Sequence, residues 1–144
     1  MKINFYVLSK LLASTSSLIT AGYFMFGLSI LALMHLQECS QLNIFILMLW
    51  IFLLIGIHHY IYIRVKFDSD LLIMMHTEAE YQSLQKSTFE LDQSLVLFNL
   101  MPSAKTDRDW QIRFKGCLKL FKIQIFILVL QAVSLFSVLM IHKL

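Results

Sequence analysis

The stretch Ile44–Ile63, IFILMLWIFLLIGIHHYIYI, contains no Asp, Glu, Lys or Arg over its whole length, and it decides the fold class. A helix needs about 20 predominantly apolar residues to cross about 30 Å of hydrocarbon. Runs of similar length lie on either side of this stretch, at Leu18–Leu36 and at Phe121–Ile141. The sequence therefore predicts an all-α integral membrane protein with three transmembrane helices.

Composition agrees, because 58% of the 144 residues are hydrophobic and only 15% are charged, which is far from the balance of a soluble domain. Residues 64–120 are the only segment long enough for a water-exposed helical unit. We therefore divide the chain into four parts. Residues 1–43 contain an N-terminal segment, the first transmembrane helix and an outer hairpin loop. Residues 44–63 form the second transmembrane helix, and residues 64–120 form a cytoplasmic helical segment with a turn near Pro102. Residues 121–144 form the third transmembrane helix and an outer tail.

The distribution of the twelve Lys and Arg residues predicts the orientation. Lys2 and Lys10 precede the first run, nine basic residues lie from Arg64 to Lys122, and Lys143 alone follows the third run. The short hairpin Gln37–Asn43 has none. Because basic residues concentrate in cytoplasmic loops, we expect a multi-pass protein of a bacterial inner membrane, with a cytoplasmic N-terminus and a periplasmic or external C-terminus.

Small and polar side chains predict how the spans pack. Ala13, Ser17 and Ala21 follow one another at steps of four, so one face of the first helix is unusually small and allows close approach. Gln124 and Gln131 are seven residues apart and so lie on one side of the third helix. Helix packing is the favoured interpretation, and a polar pathway for a solute is the alternative.

The spans offer little for transport or redox chemistry. No Asp, Glu, Lys or Arg falls in the middle of any run, although proton relays and ion paths usually need ionisable groups there. His58 and His59 adjoin Tyr60, Tyr62 and Arg64, a grouping typical of the belt of residues at the headgroups. Haem or metal ligation by either histidine in an oligomer is the alternative. We expect no cofactor and no metal.

Charge is sorted along the segment between the second and third runs. From Arg64 to Asp92 there are three basic and six acidic residues, whereas from Lys105 to Lys122 there are six basic and two acidic. Proline disfavours helix in the residue before it, so Pro102 marks a turn between the halves. The segment therefore predicts two helices of opposite charge.

The acidic half carries an apolar stripe. Its members alternate at steps of four and three, as expected for one face of a helix. We regard four of them as a candidate partner-docking stripe, with Thr88 between the first two: Leu84, Leu91, Leu95 and Phe98.

The basic half is amphipathic. Thr106 followed by Asp109 has the spacing of a capping box at a helix start. Trp110 and Phe114 then share one face, and the lysines lie on another. This face pattern makes the helix a candidate lipid-facing element, comprising Trp110, Phe114, Lys115, Lys119 and Lys122.

Two arrangements suit this charge-sorted segment. The acidic and basic helices form an antiparallel hairpin below the membrane, or the basic helix lies on the inner leaflet, where each Lys or Arg contributes about 1 kcal/mol near anionic lipid. We favour the cytoplasmic hairpin, because opposite charges lie within one short segment.

No phosphate-binding glycine loop, nucleophile elbow or HExxH pattern occurs, so we expect no enzyme. Nucleic-acid binding is not expected either, because the basic residues adjoin a membrane span. The sequence favours a small non-catalytic inner-membrane protein that acts as an interaction or assembly component of a membrane complex. Its expected partners are the lipid bilayer, a protein in the membrane or at its cytoplasmic face, and a second copy in a homo-oligomer. The alternatives are a pore-forming or holin-like protein and a haem- or metal-binding redox subunit.

Overall fold

The computed structural model describes residues 2–34, 41–81, 83–106 and 108–141, which are mostly helical and include no strand. The elements are α1 (Lys2–Ala13), α2 (Thr15–Met34), α3 (Gln41–Tyr81), α4 (Leu84–Leu97), a 3-10 turn (Ser103–Lys105) and α5 (Trp110–Ile141). Most of the expected outer hairpin and the tail after Ile141 lie outside the described residues. The last part of that hairpin, residues 41–43, already belongs to α3.

Three helical stretches are long and apolar enough to span a membrane, as predicted: Ile3–Met34, Gln41–Glu78 and Trp110–Met140. At 1.5 Å per residue the second and third measure about 57 and 46 Å, well above the roughly 30 Å of a hydrocarbon core, and the 20 residues of α2 alone cover about 30 Å of the first. The fold therefore suits a multi-pass membrane protein. Each of these helices extends beyond its apolar run.

The first span is interrupted at Ser14. Its carbonyl accepts hydrogen bonds from the N–H groups of Ser17 and Leu18, at 3.0 and 3.3 Å, where α2 begins. The preceding α1 is an amphipathic helix that the apolar runs do not predict, because α1 ends before the first run begins at Leu18. Phe5 and Leu12 are fully buried on one of its faces, whereas Lys10 is exposed on another.

The chain divides into two compact units. We call the first the amphipathic unit, which comprises Met1–Ala13 and Lys66–Lys119. The second, the apolar unit, comprises Ser14–Val65 and Leu120–Leu144.

In the amphipathic unit, α1 runs antiparallel to α3. The rings of Tyr6 and His76 lie 5.4 Å apart, and the hydroxyl of Ser69 donates to the carbonyl of Ser9 at 3.0 Å. As residue numbers rise along α1, those of their partners on α3 fall, so the two helices point in opposite directions.

The antiparallel neighbour of α4 is α3. Only two residues separate Tyr81 from Leu84, the length of connection found between antiparallel helices. A groove of about 490 Å³ runs between the two helices, lined on α3 from Phe67 to Glu78 and on α4 from Ser87 onward. The two helices therefore lie side by side along this length.

The contact between α4 and α5 differs from the hairpin expected from the sequence. Thr88 pairs with Trp110 and Asp92 pairs with Arg113, so residue numbers rise together on both helices. These contacts indicate helices that run in the same direction. The reason is that α3 continues far past its apolar run and itself supplies the antiparallel partner of α4.

The expected capping box is wrong. The Thr106 hydroxyl donates to the carbonyl of Ser103 at 2.9 Å and closes the 3-10 turn instead. Asp109 precedes α5, and its carboxylate accepts the N–H of Gln111 at 3.4 Å. Its carbonyl accepts the N–H of Ile112 at 3.0 Å. Asp109 is therefore the N-cap, a position that favours aspartate.

Candidate functional site

Four polar side chains meet inside the apolar unit, one on α2, one on α3 and two on α5. Thr15, His58 and Gln124 are fully buried, and Gln131 is nearly so. We call them the polar cluster. The surrounding helices are otherwise apolar, so these groups depend on one another for hydrogen bonds.

The polar cluster is a continuous chain of hydrogen bonds. Thr15 Oγ1 donates to Gln124 Oε1, and Gln124 Nε2 lies 3.4 Å both from the Thr15 carbonyl and from His58 Nε2, which accept. At the other end of the imidazole, His58 Nδ1 donates to Gln131 Oε1 at 3.0 Å. His58 thus uses both ring nitrogens, one as donor and one as acceptor, as a neutral imidazole does.

Gly22 makes room for this chain on α2. A Cβ atom at that position would lie 2.5 Å from His58 Nδ1 and 3.1 Å from Gln131 Oε1. The imidazole therefore packs directly against the helix backbone. Gly22 lies beside the predicted small face, and its lack of a side chain permits the close approach.

These contacts correct the predicted headgroup belt for His58 but not for His59. His58 is buried among three helices, so it does not belong to an interfacial belt. His59 is exposed, and its Nδ1 hydrogen-bonds with the hydroxyl of Tyr23 at 2.8 Å. Its ring also lies 6.1 Å from that of Tyr62, and a place for His59 in a belt at the headgroups remains a prediction.

Only some of the residues predicted to pack helices together are buried in contacts between helices. Gln124 and Gln131 come together in the polar cluster, through His58. Ala13 and Ala21 are half-buried, whereas Ser17 is exposed. The buried line of α2 is offset from the predicted face and comprises Thr15, Ile19, Gly22, Ser29 and Leu33.

A second polar contact ties α4 to α5 in the amphipathic unit. The two guanidinium nitrogens of Arg113 donate to the two carboxylate oxygens of Asp92, at 2.8 and 2.7 Å. The side chains are only 15% and 3% exposed. Next to this pair, Trp110 Nε1 donates to Thr88 Oγ1 at 3.0 Å, and the guanidinium stacks 4.9 Å from the Trp110 ring. The opposite charges of the two halves are the sequence signal that points to such a pair.

The candidate docking stripe on α4 faces partly inward. Leu91 is buried, Leu84 and Leu95 are half-buried, and only Phe98 is largely exposed, at 69%. Docking by these residues remains a prediction. Other apolar side chains of this region are exposed instead, and sequence periodicity does not single them out: Phe89 at 56%, Leu97 at 77% and Leu100 at 59%.

The apolar face of the basic helix is covered inside the amphipathic unit. Phe5 of α1 makes edge-to-face contacts with Trp110 and Phe114, with ring centroids 4.6 and 5.2 Å apart. The remaining members are exposed, and contact with lipid headgroups remains a prediction for them: Lys115, Lys119 and Lys122.

A cleft of about 630 Å³ lies along α4, and we call it the α4 cleft. Its apolar wall includes Phe89, Val96 and Leu97, and Glu90 and Gln93 contribute polar groups. Ser103 and Thr106 of the turn close one side.

Within the described part of the chain, no three His, Cys, Asp or Glu side chains converge as a metal site. No family model matches the chain, and searches of curated proteins and of solved structures find no significant match.

Proposed function

We propose that this is a small non-catalytic multi-pass protein of a bacterial inner membrane, and that it acts as an assembly component by docking a helix of a partner protein in the α4 cleft. The observation that carries the proposal is the exposure of Phe89 and Leu97 on α4. Both residues lie outside the three candidate spans, so a membrane-spanning role does not account for their exposure. Exposed apolar patches on such a surface typically serve interaction.

The chemistry of the cleft defines the partner. An amphipathic helix lays apolar residues at steps of three and four into a groove of this kind. Glu90 adds a negative charge, and its neighbour Lys86 is 3.9 Å away with both side chains more than half exposed. An exposed ion pair of this length contributes little to stability. The Glu90 carboxylate can therefore also attract a cation of the partner. The partner helix therefore carries Lys or Arg beside its apolar face.

The orientation follows the basic residues, which support a cytoplasmic amphipathic unit. A phosphatase fused after the C-terminus tests it, since that enzyme is active only in the periplasm. We expect an active fusion. An inactive fusion, with a cytoplasmic reporter active at the same site, would reverse the orientation and place the α4 cleft outside the cell.

Photocrosslinking in native membranes tests the docking. A photoreactive amino acid at Phe89 should give a discrete adduct, and peptide mapping should locate the attachment on an amphipathic helix that carries Lys or Arg. The matched control is Ile112 on α5, which is equally exposed at 56% but lies outside the cleft.

The charge is tested separately. Glu90→Lys should lower the yield of the Phe89 adduct, because it replaces attraction of the partner's Lys or Arg by repulsion. Attachment to a non-helical or acidic segment, an adduct unaffected by Glu90→Lys, or equal adducts from Phe89 and Ile112 would each refute docking in the cleft.

A further inference from the structure

We propose that the groove between α3 and α4 binds a cationic amphiphile, a small molecule with one alkyl chain and one ammonium headgroup. We call this site the α3–α4 groove. It lies entirely within the amphipathic unit, and its volume of about 490 Å³ is that of an ordinary small-molecule pocket. The inference goes beyond the proposed docking, because the α4 cleft takes a protein helix and the α3–α4 groove takes a small ligand.

The negative charge of the α3–α4 groove is concentrated at one end. Glu78 is three residues before the end of α3 at Tyr81, and Ser87 is three residues after the start of α4 at Leu84. Both therefore lie beside the short connection between the two helices. Glu90 follows on α4, about one turn further from the connection.

No cation lines the α3–α4 groove among the described residues, whereas the carboxylates of Glu78 and Glu90 do. Both side chains are exposed, so each keeps its negative charge available to a ligand. Lys86 is 3.9 Å from Glu90 but is itself exposed and lies outside the lining. A cationic headgroup is therefore the complement of this end.

The opposite end of the α3–α4 groove is apolar. Because the helices are antiparallel, the first lining residue of α3, Phe67, lies at the level where α4 ends, and Phe98 and Leu100 line the groove there. Phe67 and Glu78 are eleven residues apart, which is about 16 Å along a helix axis. The carboxylates and the apolar end are thus separated along the length of the groove.

Apolar side chains line the groove between its two ends. Met75 and Leu91 are buried, and Leu71 and Leu95 are half-buried beside them. Met74 adds a flexible side chain, of the type that adapts to ligands of irregular shape. An alkyl chain that lies along this lining leaves water, while its headgroup stays beside the carboxylates.

The separation of charge from apolar surface also selects against other amphiphiles. A carboxylate or sulfate headgroup would lie beside Glu78 and Glu90, where like charges repel. A headgroup at the apolar end would lose its contact with water and gain no polar partner. The charge and polarity of the groove therefore favour an alkylammonium ligand in one direction.

The test uses the full-length protein in nanodiscs of phosphatidylcholine, a lipid without net charge. The probe is dodecylamine with a diazirine near the end of its chain, and adducts are mapped on peptides after irradiation. The yield in residues 91–100 is divided by the yield in residues 125–140 of the third span, which corrects for probe dissolved in the bilayer. We expect this ratio to be about tenfold higher for the amine than for the carboxylic acid of the same chain.

Two pairs of variants test the headgroup and the chain separately. Glu78→Gln should lower the ratio for the amine by about threefold, because one exposed carboxylate is lost. Asp70→Asn is the matched control, since it removes the same charge from α3 outside the groove lining. Leu71→Trp should lower the ratio by about fivefold through filling the groove. Ile73→Trp is its control, on the same helix and outside the lining.

Equal ratios for the amine and the acid would overturn a cationic ligand. Equal effects of Glu78→Gln and Asp70→Asn would do the same, and an unchanged ratio in Leu71→Trp would exclude the groove as the site. Neither Glu78 nor Leu71 is among the residues that line the α4 cleft. Failure here therefore leaves the Phe89 adduct in native membranes unaffected, and failure of that adduct leaves the ratio unaffected.

Discussion

Arg113 binds both carboxylate oxygens of Asp92, at 2.8 and 2.7 Å, and joins the basic helix α5 to the acidic helix α4 in a nearly buried pair. Such parallel bonds are stronger and more directional than a single contact. The pair selects one register between the two helices. It also accounts for the charge sorting of the sequence, because each half contributes one member.

Removal of one partner should destabilise the amphipathic unit strongly. Arg113→Met leaves the Asp92 carboxylate buried without its cation, at a cost of about 3 to 5 kcal/mol. Limited proteolysis in detergent should then cut between α4 and α5 much faster. The double variant Asp92→Leu with Arg113→Met should recover most of the resistance, because neither charge remains. As a control, Lys66→Ala removes the exposed pair with Asp70 and should change little.

Gly22→Ala should disrupt the apolar unit, because the new methyl group would lie 2.5 Å from the His58 imidazole. Overpacking of this kind costs about 1 to 3 kcal/mol, measured as the free energy of unfolding in mixed micelles. The matched control is Gly27→Ala on the same helix, where a Cβ meets nothing within 4 Å. We expect the control to be neutral or slightly stabilising, and equal effects of the two changes would contradict the packing described here.

His58→Leu should destabilise the apolar unit by leaving Gln124 Nε2 and Gln131 Oε1 without their imidazole partners. An orphaned buried polar group costs about 1 to 3 kcal/mol, and a hydrogen bond inside a membrane bundle contributes about 0.6 kcal/mol. We therefore expect a loss near the lower end, about 1 to 2 kcal/mol in the same unfolding assay. The exposed His59→Leu serves as control, and a loss as large as that of His58→Leu would argue against the polar cluster.

Substitution of Asn99 tests the turn that follows α4. Its φ of 55° lies in the left-handed region, which asparagine tolerates and β-branched residues strongly disfavour. Asn99→Gly should leave stability nearly unchanged. Asn99→Val should lower the free energy of unfolding by about 1 to 2 kcal/mol, from the backbone strain alone. A neutral Asn99→Val would mean that the turn adopts another conformation.

Sequence signals that extend over many residues predicted the structure better than short motifs did. The three apolar runs predicted the spans because burial in hydrocarbon acts on every residue of a run. The capping box failed, since Thr106 formed a turn with Ser103 and Asp109 took the cap position. Local motifs of this kind compete with neighbouring turns, and the sequence does not rank them.

By itself, the sequence determined that the chain is helical, that three stretches are long and apolar enough to span a membrane, and that charge is divided on either side of Pro102. These properties follow from hydrophobicity and helix periodicity along one chain. Only the tertiary structure decided that α4 packs back on α3, that His58 is buried against Gly22, and that Arg113 finds Asp92. Each of these is a contact between distant segments, set by the lengths of whole helices and by the space left between them.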